Sequence, residues 1–102
     1  MNLKKTNPPD YYVAVEEWLY PTESGREIAG DFDTYEEALR RAGRLCKDEM
    51  FNFADATGCD PSNPTEFVSP DGTQRGVMIA DSKGLEEWWY AVKIVPVRHG
   101  LE

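Results

Sequence analysis

Leu85-Glu86-Glu87-Trp88-Trp89-Tyr90-Ala91-Val92-Lys93-Ile94-Val95-Pro96-Val97 decides how this chain folds. Successive side chains of a strand point to opposite faces of its sheet. Read that way, Trp88, Tyr90, Val92 and Ile94 share one face, and Trp89, Ala91, Val95 and Val97 share the other. Lys93 is the one charge between Trp88 and Val97. A sheet with one wet face alternates apolar with polar residues. This strand is apolar on both faces, so each face calls for a cover.

The rest of the chain supplies one helix. Thr34 is a predicted N-cap, and Glu37 three residues later completes a capping box. Tyr35, Ala38, Leu39, Ala42, Leu45, Cys46, Met50 and Phe53 follow at helical spacing. Glu36 with Arg40, Glu37 with Arg41, and Arg44 with Asp48 form i,i+4 pairs of opposite charge. The Arg40-Arg41-Arg44-Lys47 cluster therefore reads as a solvated helix face. Gly58 is the expected stop, giving a helix from Tyr35 to about Ala56.

On either side lie strands. Tyr11–Tyr20 is the first, with Pro21-Thr22-Glu23-Ser24-Gly25 as a hairpin loop and Arg26–Phe32 returning. Beyond the loop at 60–65, Glu66–Ser69, a Pro70-Asp71-Gly72-Thr73 turn and Gln74–Ala80 form a second meander. The Asp81-Ser82-Lys83-Gly84 turn then leads into the tryptophan strand. The order β-β-α-β-β-β has no alternating βαβ pattern. It predicts an α+β domain over residues 11–98, a single mostly antiparallel sheet of four to five strands with one long helix on one face. Residues 1–10, with Pro8-Pro9, read as a loose N-terminal arm, and 99–102 as a tail whose Leu101-Glu102 resembles a vector-derived ending.

Composition narrows the function classes. Nineteen Asp and Glu against eleven Lys and Arg leave a net charge of -8, whereas nucleic-acid binding begins with a basic patch. A nucleic-acid partner is not expected, even though an aromatic sheet face is the platform on which single-stranded RNA stacks elsewhere. No run approaches the ~20 apolar residues of a membrane-spanning helix. No apolar region follows Lys4 and Lys5 as in a signal peptide, so a cytoplasmic location is expected. Cys46 and Cys59 form no CxxC motif and are too few for a secreted disulfide scaffold.

No catalytic, cofactor or metal site emerges. His99, in the tail, is the one histidine, and a zinc site would lean on two cysteines without their usual spacing. Asp31-Phe32-Asp33 begins like a calcium loop but lacks the Gly and Glu that such a loop requires. Cys59 with His99 is the one Cys–His combination outside the helix, joining a loop to the tail. Glu16-Glu17 and Glu86-Glu87 are adjacent in strands, so the members of each pair diverge. The glycines are scattered among turns and strands and form no phosphate loop.

Area then directs attention to one sheet face. Four or five strands at about 4.8 Å spacing are roughly 20 to 24 Å wide, and a helix is about 10 Å across. The expected helix-side face carries Val13, Val15, Ile28, Phe32, Val77, Ile79, Tyr90, Val92 and Ile94, against Leu39, Ala42, Leu45, Cys46 and Met50. The opposite face then presents Tyr12, Ala14, Trp18, Tyr20, Met78, Trp89, Ala91 and Val95. A one-residue slip inverts such an assignment. Within that face Tyr12, Trp18, Tyr20, Met78, Trp89 and Val95 are the candidate interaction residues, since Trp, Tyr and Met are enriched at interface cores.

The expected function is a non-enzymatic module that self-associates as a homodimer or binds a protein through this aromatic face. Three alternatives stand beside it. The arm, the 55–66 loop or sheet curvature closes the face within one monomer. An acidic inhibitor, immunity-type protein or DNA mimic presents residues 21–40 to a basic target. A small-ligand binder or enzyme lines a pocket with Trp18, Trp88, Trp89 and Tyr90.

Overall fold

The computed structural model describes residues 8–84 and 87–98. The assignments made for residues 1–7, for Leu85 and Glu86, and for the tail at 99–102 lie outside the described residues. The elements are β1 (Tyr11–Leu19), β2 (Ser24–Phe32), α1 (Tyr35–Thr57), β3 (Thr65–Val68), β4 (Arg75–Ala80) and β5 (Trp89–Val97). The five strands form one sheet in the order β2-β1-β5-β4-β3, every neighbouring pair antiparallel. The helix packs on one face, as the α+β reading expects.

The helix starts where its cap dictates. The Glu37 amide donates to the Thr34 hydroxyl at 3.1 Å, and the Thr34 amide donates to the Glu37 carboxylate at 3.3 Å, so two donors with no partner inside the helix are satisfied reciprocally. It ends at Gly58, which takes the left-handed conformation (φ 73°) and donates its amide to Ala54. The strands differ from expectation mainly at their ends. β2 begins at Ser24 and β3 spans Thr65–Val68, while Trp88 falls just before β5.

β1 and β5 pair along their full length, from Tyr11 opposite Val97 to Leu19 opposite Trp89. Opposed residues share a face, so this register places every β1 side chain. Ala14 joins Ile94, Glu16 joins Val92 and Trp18 joins Tyr90 on the helix side, with Val77 and Ile79 of β4 beside them. The core contains Ala14, Tyr20, Val77, Ile79, Tyr90, Val92 and Ile94 against Ala38, Ala42, Cys46 and Phe53. Ala14, Ala38 and Ala42 are wholly buried, and their small side chains let the helix lie close over the middle of the sheet.

This corrects the expected faces. Phe32, Val77, Ile79, Tyr90, Val92 and Ile94 do face the helix, but Val13, Val15 and Ile28 lie on the other side. The β1 alternation is one residue out of phase with the expectation. A bulge contributes on β2, where Ala14 faces Gly30 but Val15 faces Ile28, leaving Ala29 as the extra residue. That bulge, with Glu27 and Asp31, also makes β2 a poor template for edge-to-edge pairing.

The loop between α1 and β3 does not close the second face. The Ser62 amide donates to Ala80 at 2.6 Å, the Ser82 amide to Asp60 at 2.8 Å, and Pro61 bridges to Asp81. Cys59 packs against the helix-side core. The loop therefore continues alongside the end of β4.

Candidate interaction face

The sheet face turned away from the helix is a grid read from the register. Tyr11, Val13, Val15, Glu17 and Leu19 of β1 stand beside Val97, Val95, Lys93, Ala91 and Trp89 of β5. Met78 and Ala80 extend it on β4, and Asp31, Ile28 and Arg26 on β2. Val15 and Ala91, at its middle, are buried by their neighbours, whereas Ile28 is 70% exposed, Val95 40% and Leu19 38%.

Three of its charges are paired with one another. Glu17 Oε1 lies 2.9 Å from Lys93 Nζ, and Glu17 Oε2 lies 3.1 Å from Arg26 Nε. One carboxylate thus ties β2, β1 and β5 together across the face. Exposed ion pairs are worth little individually, but the Glu17 side chain is only 19% exposed. Its effect on the surface is to cancel charge within an otherwise apolar field.

Met78, Trp89 and Val95 are gathered here, as expected. Tyr12, Trp18 and Tyr20 are placed on the helix side instead. Tyr12 packs edge-on against Tyr35 (ring centroids 5.9 Å apart) and Tyr20 edge-on against Phe53 (5.8 Å). Trp18 lies over Gly25, its opposite number on β2, where a Cβ would overlap the indole. The face that results is more aliphatic than the expected one. Leu19, Val13 and the Glu17 ion pairs are not legible in the sequence because β1 is apolar on both alternations, with one glutamate on each, and the bulge in β2 hides Ile28.

On the helix side, Trp18, Tyr20 and Tyr90 line an acidic notch of about 180 Å³ together with Glu16, Glu23, Glu27 and Glu49. The Tyr90 hydroxyl donates to Glu16 at 2.6 Å, and Glu49 accepts from the Tyr20 hydroxyl at 2.8 Å and from Asn52 at 2.7 Å. Burial, and then the bond to a carboxylate, push both tyrosine hydroxyls well above the ordinary phenol range. The Trp18 indole N–H is buried without a partner among the described residues.

Nucleophilic chemistry finds no foothold at Cys46. Its thiol is buried and donates to the Val77 carbonyl at 3.4 Å. Burial pushes its pKa up to about 12, away from the thiolate that attack requires. Cys59 is half-buried in its loop, and His99, the other half of the combination weighed above, lies outside the described residues. Trp88 and Trp89 point to opposite sides of the sheet, so they do not line one pocket with Trp18 and Tyr90. Among the described residues no group of three or more His, Cys, Asp or Glu is placed to hold a metal ion. No helix among them is long and apolar enough to cross a membrane.

Compared with protein-family models, with curated proteins and with solved structures, the chain matches none. The functional reading therefore rests on the geometry of this molecule.

Proposed function

We propose that this protein is a non-enzymatic binding module that dimerises through the open face of its sheet. The observation that carries this reading is the joint character of that face. It is a largely apolar surface outside the helix layer, and its few charges sum to zero across the face. Glu17 and Asp31 contribute two negative charges, Arg26 and Lys93 two positive. The face is thus neutral in a chain of net charge -8. Two copies repel over most of their surfaces and least here, which favours a second copy in a face-to-face arrangement.

The area suits such a pairing. Nine-residue strands are about 30 Å long and the sheet is about 20 Å wide, on the order of 600 Å² per copy. Two copies would bury about 1,200 Å², the lower end of stable interfaces. Sedimentation equilibrium across a wide concentration series tests the reading. A dimer is expected, reduced to monomer by Val95→Glu or Ile28→Glu. Both positions are exposed, so folding is retained. A wild-type protein that stays monomeric throughout would sink the proposal.

The acidic notch favours a second reading, a basic protein target. Four carboxylates beside three aromatic rings suit a guanidinium group, through charge and through cation–π attraction. Under that reading an arginine-rich peptide binds with strong salt dependence, and Glu23→Gln with Glu27→Gln weakens it. Salt-independent binding, or none, would exclude it.

A further inference from the structure

A cleft of about 420 Å³ opens at the end of the sheet nearest the helix N-terminus, with a character opposite to that of the whole chain. Tyr12, Ile94, Pro96 and Tyr35 line it, with Arg75 as its cation beside Arg98, which already has a partner of its own. None of the described residues that line it is acidic. The other clefts carry carboxylates: Glu17 in the neighbouring one that shares Arg75, Asp60 and Asp81 in another, and four glutamates in the notch. In a chain with nineteen acidic residues, such a surface is a local reversal of charge.

Arg75 is held by stacking on an aromatic ring. Its guanidinium carbon sits 4.7 Å from the centroid of the Tyr35 ring, which is itself braced edge-on by Tyr12. Stacking occupies the flat face of a guanidinium and leaves its N–H edge free to donate. None of the ion pairs found among the described residues involves Arg75. Asp71, in the adjoining turn, does not compensate it from within the cleft. One oxygen of its carboxylate accepts from the Ser69 hydroxyl and from both the amide and the hydroxyl of Thr73.

We propose that this cleft binds a small molecule consisting of one flat ring bearing an acid group. The acid pairs with Arg75, since a guanidinium fork matches a carboxylate or phosphate in two places. The ring lies against the apolar lining, and the volume falls within the roughly 300–1,000 Å³ of small-molecule sites. An aromatic carboxylate and a nucleoside monophosphate share this chemistry. Tyr12 and Tyr35 set the cleft on the helix side, although Thr73, Arg75, Ile94 and Pro96 also border the neighbouring cleft that holds Glu17.

Titration of the full chain with benzoate, adenosine monophosphate and inorganic phosphate, followed by amide NMR shifts, tests the site. Saturating shifts at Thr73, Arg75 and Ile94 are expected with one of the two ringed anions, which identifies the source. Inorganic phosphate should bind at least about tenfold more weakly, and Arg75→Gln should weaken the ringed anion by about tenfold, the effect of losing a charge-assisted hydrogen bond. The proposal is overturned if neither ringed anion saturates. It is equally overturned if phosphate alone binds as tightly, or if Arg75→Gln binds like the wild type.

Discussion

The Tyr90 hydroxyl donates a 2.6 Å hydrogen bond to Glu16, a residue 74 positions earlier in the chain. The two stand on neighbouring strands, β5 and β1, on the helix side of the sheet. A glutamate turned toward a core is costly unless something bonds to it. This bond is what makes the observed phase of β1 acceptable, with Tyr12, Ala14 and Trp18 beneath the helix and Val13, Val15 and Leu19 outside.

Tyr90→Phe should therefore destabilise the fold by about 1–2 kcal/mol, the range for a hydrogen bond to a charged group that keeps some access to water. Urea unfolding measures it. In a double-mutant cycle, Glu16→Gln should recover part of the loss, because the orphaned group is then uncharged. Additive effects of the two changes would show that the bond contributes nothing to stability.

Alkaline titration should separate tyrosines by their surroundings. Tyr20 and Tyr90 are raised by burial and by their carboxylate partners, above the ordinary value of 10.0. A pKa raised by folding contributes stability that is complete below the unfolded value and lost as pH climbs beyond it. Stability should thus fall above about pH 10, and the absorbance of these two phenolates should appear together with unfolding. Smooth ionisation of all five tyrosines in a folded protein would contradict this.

At the acid end, Asp71 behaves oppositely. The Ser69 hydroxyl, followed by the Thr73 amide and hydroxyl, lowers its pKa from 3.8 to about 2. A lowered carboxyl contributes stability above its unfolded value and loses it as pH falls through the folded one. The Thr73 amide resonance should hold its position through pH 3.8 and move with a midpoint near 2. Asp71→Asn should abolish that transition. A midpoint near the ordinary value would show that the turn is open.

Gly25→Val should cost about 1–3 kcal/mol, the usual penalty for overpacking. The Trp18 indole occupies the space that any Cβ at position 25 would enter, so the ring must leave or β2 must shift. Thermal unfolding gives the magnitude. A change in tryptophan emission in the folded state distinguishes a displaced indole from a general loss of stability. An unchanged melting temperature would mean that Trp18 does not rest on Gly25.

Much of the architecture was legible in local chemistry. Thr34 with Glu37 marks the start of α1 and Gly58 its end because capping and left-handed termination depend on residues within one turn. The phase of β5 was legible as well. Trp88, Tyr90, Val92 and Ile94 alternate without a break, and the structure turns all four to the helix side. The candidate interaction face was only half legible. Met78, Trp89 and Val95 follow from β4 and β5, but Tyr12, Trp18 and Tyr20 had to be reassigned.

The sequence by itself determined the class of fold, the limits of the helix, the presence of a sheet apolar on both sides and the acidic charge of the chain. Tertiary structure alone decided which side of β1 is core. Alternation in β1 yields two nearly equivalent apolar sets, each interrupted by one glutamate. Only the partners of those glutamates distinguish them: Tyr90 for Glu16 on the helix side, Lys93 and Arg26 for Glu17 on the open side. Register sets those partnerships across long chain separations, and a one-residue shift would exchange every one of them.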